Sequence, residues 1–277
     1  MKLLTIIIAF ISFTFTAYSQ PTIETYLANY TYPSKGGAIE SIEEKYELLV
    51  DDVSPKPFRV LTKFDNNGYI LSETRYNTMD AKQSETVWTY NSNKKLTNKT
   101  QTYFVNMIGW KMDETILKYN DTTGFLSEIQ CFKNKVMQYS SRVYCDSYGL
   151  PYEVRVLDER GAYEGIERLS YSPNANIIRV MMLRASGKFS SLSVYPIDYS
   201  KPFQSGSIEK QYYPNGDVML ESLDYQTKTD QGYYYEYKYD ANGNWIEKET
   251  YQVTLGKNNK VKDKKLEHRV IRSIKYY

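Results

Sequence analysis

The feature that most constrains this fold is a short turn motif, Asp-x-x-Gly, that recurs along the chain. Four copies are close, and they run Asp65–Gly68, Asp121–Gly124, Asp146–Gly149 and Asp240–Gly243. An aspartate at the first position of a type I turn accepts hydrogen bonds from the turn backbone. A glycine at the fourth position takes the positive φ of a bulge that closes a three-residue hairpin loop. The motif therefore predicts repeated antiparallel hairpins.

The spacing of these turns predicts the architecture. Weaker copies begin at Asn91, Ser172 and Tyr213, and successive turns lie 25 to 30 residues apart, except for 41 residues between Ser172 and Tyr213. A period of about 26 residues holds two strands and two turns. We therefore predict an all-β antiparallel meander with one hairpin per repeat, and an insertion between residues 185 and 206.

Tyrosine dominates the aromatic residues and suits such a sheet. The chain has 29 Tyr against 10 Phe and 3 Trp, and tyrosine favours a pleated, half-buried surface. In the last full repeat aromatic residues alternate along the predicted strand and continue after its turn, at Tyr233, Tyr235, Tyr237, Tyr239 and Trp245. We take this aromatic row as the candidate binding surface for sugar rings or a protein partner; the alternative is that it packs as core.

The same repeat predicts a register. If Asp240 faces Asn244 across the turn, Tyr239 faces Trp245. The further predicted pairs are Tyr237 with Glu247, Tyr235 with Glu249, Tyr233 with Tyr251, Glu236 with Lys248 and Lys238 with Ile246. This register would place aromatic residues on one face and an opposite-charge pair on the other.

Residues 1–19 are typical of a secretory signal peptide. Lys2 precedes an apolar run over Leu3–Phe15, and small residues at Ala17 and Ser19 predict cleavage before Gln20. The expected location is secreted or periplasmic, with an uncleaved N-terminal anchor as the alternative. The apolar run is shorter than a membrane span, and no later segment approaches that length, so we expect no membrane span in the mature chain.

Residues 20–57 form a separate N-terminal segment before the repeat domain at 58–277. Within Ile39–Val50 the apolar residues have helical spacing, which predicts a short helix or, in the alternative, a first hairpin. The sequence Ser54–Pro57 is a break. At the other end, Arg269–Tyr277 predicts one more strand.

The repeat resembles the YD-repeat (Rhs-like) class of bacterial secreted proteins. The similarity is closest over Tyr237–Ile246, where Tyr-Asp precedes a glycine turn and an apolar strand, and the copies at Asp65, Asp121 and Asp146 lack the tyrosine. The resemblance implies export and a long β-sheet, which in large members wraps into a shell around a toxin. Small exported relatives are described generically or as sugar-binding, so the resemblance implies fold and export more than activity.

Charge and cysteine content exclude several functions. The formal net charge is +2, too small to attract nucleic acid. Cys131 and Cys145 are too few for a disulfide framework; a single bridge stays open, although the predicted register does not oppose them. Together with the single histidine, His268, they make no metal set. We expect no cofactor and no bound metal.

The sequence contains no motif of a known catalytic site. His268 is more simply an exposed strand residue than a general base. The adjacent acids Glu43–Glu44 and Asp51–Asp52 would point in different directions along a strand. We therefore predict a non-enzymatic binding or structural module. The alternatives are a hydrolase acting on envelope or other polysaccharide, and a small toxin-neutralising partner that pairs through an open strand edge near the C-terminus.

Overall fold

The computed structural model describes residues 22–32, 34–48, 59–199, 201, 209–222, 230–256 and 260–277, and the predicted leader lies outside them. The described residues form seventeen strands and two short helical turns, which confirms the all-β class. The elements are α1 (Glu24–Leu27), β1 (Ile39–Leu48), β2 (Arg59–Phe64), β3 (Ile70–Tyr76), β4 (Lys82–Tyr90), β5 (Leu96–Val105), β6 (Gly109–Tyr119), β7 (Leu126–Lys133), β8 (Val136–Cys145), β9 (Pro151–Asp158), β10 (Tyr163–Ser172), a 3-10 turn (Pro173–Ala175), β11 (Ile177–Arg184), β12 (Phe189–Pro196), β13 (Glu209–Tyr212), β14 (Val218–Ser222), β15 (Gln231–Tyr239), β16 (Trp245–Leu255) and β17 (Val261–Tyr276).

All seventeen strands belong to one sheet, and each neighbouring pair is antiparallel. Strands β2 to β12 follow one another in space, as do β13 to β17. The two runs are joined by β1, which pairs with β17 on one side and with β2 on the other. Within the described residues β12 and β13 are therefore the two edges. Since the number of antiparallel strands is odd, both edge strands run in the same direction.

Strand β1 occupies Ile39–Leu48, the described part of the region Ile39–Val50 where we predicted a helix or a hairpin. The helical interpretation is wrong, and the hairpin interpretation holds, because β1 pairs antiparallel with β2. Ile39 and Ile42 are both buried although they are three residues apart. A bulge between Ile39 and Ser41 inserts one residue and turns both side chains to the same face. The bulge therefore produces a three-residue spacing of buried side chains that resembles helical spacing. The α-helix of the described residues lies instead at Glu24–Leu27.

Most of the repeated turns have the expected chemistry. Asp65 Oδ1 accepts hydrogen bonds from the backbone N–H groups of Asn67 and Tyr69, both at 2.9 Å. Asp146 and Asp240 accept the equivalent pairs of bonds. The closing glycines have positive φ, at 82° in Gly68, 84° in Gly149 and 78° in Gly243. The turn interpretation of these residues therefore rests on direct contacts.

The turn at Asp121 is different, because its capping oxygen comes from the preceding residue. Asn120 Oδ1 accepts from the backbone N–H groups of Thr122 at 3.0 Å and Thr123 at 2.9 Å. Asp121 itself is exposed within the loop. Gly124 keeps the positive φ, at 68°. This loop is one residue longer than the others, because Asn120 N–H donates to the Phe125 carbonyl, whereas Asp65 N–H donates to that of Tyr69.

The predicted insertion is displaced along the chain. Strand β12 lies inside the range 185–206 and completes an ordinary hairpin with β11. The extra residues follow Pro196 and precede Glu209, so they separate the two edge strands. The break in the sequence period therefore coincides with the break in the sheet.

One face of the sheet, called here the inner face, carries the main core. Its buried apolar side chains include Leu117, Ile129, Val154 and Val180, and the chain at 22–32 lies across them. Ile23 is fully buried there, and Tyr30 packs against Trp88 with ring centroids 5.9 Å apart. Without this segment the apolar residues of the inner face would be exposed to water.

A buried carboxylate holds the start of this segment. Glu167, 1% exposed, accepts hydrogen bonds from the backbone N–H of Thr22 at 2.6 Å and of Ile23 at 3.2 Å. The Ser141 hydroxyl bonds the Thr22 hydroxyl at 3.0 Å. Burial raises the pKa of Glu167, although the two backbone bonds oppose the shift. Glu167 thus ties β10 to a segment more than a hundred residues away.

Both cysteines are free thiols, so the bridge left open above is not formed. Cys131 faces Tyr139 and Cys145 faces Pro151 in the sheet register, and both pack against the main core. In the part of the chain described here, no helix has the length and apolar character needed to cross a membrane.

Candidate binding site

The aromatic row lies on β15, with a register that differs by one residue from the prediction. Tyr239 faces Trp245 as expected, and a bulge then shifts all further pairs. The observed pairs are Tyr237 with Lys248, Tyr235 with Thr250, Tyr233 with Gln252, Glu236 with Glu249 and Lys238 with Glu247. The other five predicted pairs are therefore wrong. The shift comes from a second bulge, at Ile246 on β16, which lies beyond the glycine-closed turn. Counting outward from Tyr239 without it places every partner one position early.

The corrected register changes the charge pairing. Lys238 Nζ lies 3.0 Å from Glu247 and so forms the favourable cross-strand pair. Glu236 faces Glu249, a like-charge arrangement that is unfavourable on its own. Lys264 offsets it by bonding Glu236 at 2.6 Å, and Arg269 bonds Glu249 at 2.6 Å.

Tyr237 and Tyr239 form the centre of the aromatic row. Their rings are stacked with an interplanar angle of 30° and centroids 6.1 Å apart. Tyr237 also meets Tyr213 and Trp245 edge-on at 6.1 Å, and its hydroxyl donates to the Val218 carbonyl at 3.0 Å. Tyr237 is thus fixed on several sides, whereas Tyr239 is 36% exposed.

The turn between β13 and β14 holds the Tyr239 hydroxyl. This hydroxyl donates to Asp217 Oδ2 at 2.7 Å and accepts from Asn215 Nδ2 at 2.7 Å. Lys35 Nζ bonds Asp217 at 2.7 Å and lies 5.7 Å from the Tyr239 ring. Burial and the Asp217 bond raise the pKa of Tyr239 to about 12. The ring is therefore neutral and oriented at physiological pH.

A cleft of about 550 Å³, called here the β15 cleft, opens beside these rings. Strands β14 and β15 pair only from Leu220–Ser222 to Gly232–Tyr234, so they separate before they reach Tyr239. Tyr213 reaches into the gap, and its hydroxyl donates to the Tyr235 carbonyl at 2.8 Å. The lining residues are Tyr213, Pro214, Asn215, Glu236, Tyr237, Lys238, Tyr239, Glu247 and Glu249.

Three glutamates supply the acceptors of the β15 cleft, and all are paired with cations. Arg269 lies 3.4 Å from Glu247 and 2.6 Å from Glu249. Hydrogen bonds from Tyr251 and Arg269 lower the pKa of Glu249. Its carboxylate therefore stays ionised at neutral pH and accepts hydrogen bonds.

Tyr235 lies on the same side of β15 as Tyr237 and Tyr239, but neither Tyr235 nor Trp245 lines the cleft. The Arg272 guanidinium carbon lies 3.1 Å from the Trp245 ring centroid, and Arg272 also bonds Glu44 at 2.6 Å. The Tyr235 hydroxyl donates to Glu221 at 3.0 Å. Lys248, whose pKa is lowered by burial, lies 5.5 Å from the Tyr235 ring. Two members of the predicted row are thus structural.

Tyr233 stands apart from the other members of the row. It is half-buried, faces Gln252 on one neighbour and Glu221 on the other, and does not line the β15 cleft. The structure therefore brings only Tyr237 and Tyr239 of the five candidate residues to the cleft.

The catalytic candidates among the described residues are not assembled into a site. Glu43 bonds Arg59 at 3.1 Å, whereas Glu44 bonds Arg272 on the opposite face, and Asp51 and Asp52 lie outside the described residues. His268 is less exposed than predicted, with 17% of its side chain accessible. No group of three His, Cys, Asp or Glu side chains among the described residues could hold a metal.

Several cleft residues were not singled out from the sequence. Tyr213 and Asn215 were assigned only to a turn, and Glu247 and Glu249 only to predicted cross-strand pairs. One sequence signal does mark the first two, because this turn follows the long 41-residue step. Asn244 was also missed as an anchor; 1% exposed, it donates to the Gly36 carbonyl at 2.9 Å and accepts from Lys35 N–H at 2.9 Å.

Comparison with known proteins gives no family assignment. No family model matches the chain, so none confirms the YD-repeat resemblance, and no curated protein matches it. Among solved structures, a porin-like protein from Bacteroides uniformis is 14% identical, with 88% of this chain and 100% of that chain covered and a TM-score of 0.40.

Two toxin-complex structures are also similar. TcdB2-TccC3 is 10% identical over 74% of this chain, with a TM-score of 0.28, and the Tc holotoxin pore of Photorhabdus luminescens is 10% identical over 71%, with a TM-score of 0.26. Each similarity spans 14% of the toxin chain. At these TM-scores the function rests on the geometry of the chain itself.

Proposed function

We propose that this chain is an exported, non-enzymatic carbohydrate-binding protein and that the β15 cleft is its binding site. The observation that carries the proposal is the accessible Tyr239 ring, stacked on Tyr237 in a cleft that three glutamates also line. A sugar offers an apolar face to an aromatic ring and hydroxyl donors to carboxylates. A cleft with aromatic walls and a few polar groups meets both requirements.

Preorganisation of the aromatic wall supports the proposal. Asp217 and Asn215 fix the Tyr239 hydroxyl, and Tyr213 and Tyr237 confine the base of the cleft. A ring that is already oriented loses little conformational entropy when a ligand stacks on it. This favours binding by a shallow, open site.

The same carboxylates favour binding over hydrolysis. A glycosidase needs one carboxyl group with a raised pKa to protonate the leaving oxygen. In the β15 cleft the pKa of Glu249 is lowered, and Glu236 and Glu247 are ion-paired with Lys264 and Lys238. None of the three has the apolar surroundings that would make it a general acid.

Pairing with a toxin chain through an open C-terminal strand gains no support. Strand β17 has neighbours on both sides, β16 and β1. The C-terminal strand therefore offers no free edge of the kind that β-augmentation requires.

The test is glycan-array binding of the chain from Gln20 onward, with Tyr239→Ala as the site variant. Tyr152→Ala is the matched control, because Tyr152 is exposed on β9, away from the cleft. We expect binding that Tyr239→Ala abolishes and Tyr152→Ala leaves unchanged, with circular dichroism showing both variants folded. Absence of binding by the wild type, or equal loss in both variants, would refute the site.

Export and the absence of hydrolysis need separate measurements. Fractionation of producing cells followed by N-terminal sequencing should recover a protein that begins at Gln20 outside the cytoplasm. Incubation of the protein with each glycan that it binds should release no new reducing ends. If the wild type releases reducing ends and Glu249→Gln does not, the hydrolase is favoured.

A further inference from the structure

One end of the sheet exposes apolar side chains in an unusually regular way. The hairpin end is defined here by the turns that join β3 to β4, β5 to β6, β7 to β8, β9 to β10 and β11 to β12. Each of these five successive turns or its flank presents an exposed apolar residue: Met79 (82%), Met107 (105%), Val136 (63%), Tyr163 (46%) and Phe189 (62%). Single exposed apolar residues are ordinary, whereas a contiguous set marks an interaction surface.

The turn between β5 and β6 is the most apolar of the five. Ile108 is 63% exposed next to Met107, and Phe104 and Trp110 face each other below them with ring centroids 5.7 Å apart. Met107 has a φ of 66°, which a bulky residue rarely adopts. The turn therefore holds two aliphatic side chains in water above an aromatic pair.

The turns at the hairpin end differ among themselves. Those between β3 and β4 and between β9 and β10 are capped by Asn77 and Asp158, like the turns of the opposite end, where Tyr148 and Leu150 are also exposed. Among the five turns, only the one between β5 and β6 carries two adjacent exposed aliphatic side chains.

The apolar residues lie along a line of successive turns, which follows the twist of the sheet. Adjacent strands lie about 4.8 Å apart, so neighbouring hairpins are separated by roughly 10 Å and the five turns extend over roughly 40 Å measured along the sheet.

The charge at the hairpin end is predominantly positive. Its exposed cations are Lys82, Lys133, Lys135, Arg160, Arg184 and Lys188, and its exposed carboxylates are Asp80 and Glu159. Both carboxylates are partnered by arginines, Asp80 by Arg59 at 2.7 Å and Glu159 by Arg160 at 3.7 Å. Cations that flank an apolar line match the anionic headgroups above a hydrocarbon layer.

We propose that the hairpin end docks on the surface of an anionic lipid bilayer. Met107, Ile108 and Trp110 enter the headgroup region, and lysines of the neighbouring turns contact the phosphates. Aromatic and aliphatic side chains at the interface supply the apolar contribution, and the lysines supply the electrostatic one. This surface lies apart from the β15 cleft, so it leaves the carbohydrate proposal unaffected.

The test is co-sedimentation with phosphatidylcholine vesicles that contain or lack phosphatidylglycerol. The chain from Gln20 onward is used, because the apolar leader would itself partition into vesicles. The site variant is Met107→Asn with Ile108→Ser, since asparagine readily adopts positive φ and should keep the turn. Tyr148→Ser at the opposite end is the matched control, and Lys133→Gln with Lys188→Gln tests the charge.

We expect binding to the anionic vesicles that falls at least about tenfold in the Met107 and Ile108 variant and is unchanged in Tyr148→Ser. The double lysine variant should also lose about tenfold or more, because each lysine near an anionic surface contributes about 1 kcal/mol. The proposal would be overturned if the wild type bound neither kind of vesicle, or if Tyr148→Ser lost as much vesicle binding as the Met107 and Ile108 variant. Sedimentation velocity tests the alternative that a second copy of the chain covers this surface. Self-association of the wild type without vesicle binding, abolished by Met107→Asn with Ile108→Ser, would assign the surface to that second copy.

Discussion

Tyr239 donates a hydrogen bond of 2.7 Å to Asp217 across a gap where their strands no longer pair. This contact joins the turn after β13 to the end of β15 and so sets the width of the β15 cleft. It connects the local turn chemistry with the proposed binding site.

Removing this hydroxyl should separate stability from binding. Tyr239→Phe keeps the ring and loses the bond, so we expect the free energy of unfolding to fall by about 1 kcal/mol. Sugar binding should weaken less than in Tyr239→Ala, because the stacking ring remains. Urea denaturation and calorimetric titration measure the two effects, with Tyr152→Phe as the control. Equal affinity losses in Tyr239→Phe and Tyr239→Ala would mean that the hydroxyl, and not the ring, carries recognition.

Tyrosines with raised pKa values should make the protein sensitive to alkali. Burial raises the pKa of Tyr195 and of Tyr239 to about 12, above the ordinary value of 10.0. A raised folded-state pKa means that these groups stabilise the fold fully below pH 10 and lose that contribution as the pH rises through 12. The free energy of unfolding should fall from pH 10 upward. A stability that stays flat over that interval in urea titrations would contradict the burial of these hydroxyls.

Glu167 should control attachment of the N-terminal segment. Glu167→Ala leaves the Thr22 and Ile23 N–H groups without their acceptor, at a cost of about 1–3 kcal/mol. Hydrogen exchange should then increase over residues 22–32 before the rest of the chain. The control is Glu159→Ala at an exposed turn, which should change the free energy of unfolding by less than about 0.5 kcal/mol. Hydrogen exchange that rises evenly along the whole chain in Glu167→Ala would argue against a local anchor.

The pH dependence of Glu167 has a defined sign. Its pKa in the folded protein is raised above 4.5 by burial. Its contribution is therefore greatest below pH 4.5 and is lost as the pH rises through the folded-state value. Glu167→Gln, which resembles the protonated form, should remove this part of the pH dependence while retaining one acceptor oxygen.

Two glycines with the same backbone conformation should differ in their tolerance of alanine. Gly149 and Gly161 have φ of 84° and 81°. A Cβ at Gly149 would lie 2.7 Å from the Phe125 ring, whereas one at Gly161 would meet nothing within 4 Å. Gly161→Ala should cost only the conformational penalty of about 1–2 kcal/mol. Gly149→Ala should cost more in urea denaturation, and equal losses would show that Phe125 moves aside freely.

The two thiols should be unreactive in the folded protein. Burial raises the pKa of Cys131 and of Cys145, which lowers the thiolate fraction at neutral pH. Both should react slowly with a thiol reagent and quickly in urea. Intact mass spectrometry under non-reducing conditions should show two thiols, and a mass lower by the hydrogens of a disulfide would contradict the free pair.

The parts of the fold that depend on neighbouring residues could be predicted from the sequence. Asp65 and Gly68 specify their turn through contacts within a few residues, and that information is local. The register of Tyr237 failed for a reason that is also local, because the bulge after Trp245 was not carried into the pairing. An extra residue also follows the turn at Asp65, at Leu71, so the second bulge recurs in the repeat outside the turn itself.

The parts that depend on distant residues could not be predicted. Nothing in Ile39–Leu48 indicates that Val261–Tyr276 will pair with it, and nothing near Thr22 indicates a carboxylate at Glu167. The cleft belongs to this class, since Tyr213 and Glu249 line one cavity only where β14 diverges from β15. Such contacts are selected by the packing of the whole sheet and leave no periodic pattern in one segment.

The position of β1 between β2 and β17 has a consequence for biosynthesis. β17 follows the other sixteen described strands in the chain, so β1 can acquire its second partner only after all of them have been synthesised. Every other neighbouring pair joins strands consecutive in the chain and can form early, whereas this one closes a loop of more than two hundred residues and should be slow. Until it forms, two partial sheets coexist on one chain, each with an unsatisfied border, and a chaperone or a protease would encounter the chain in this state.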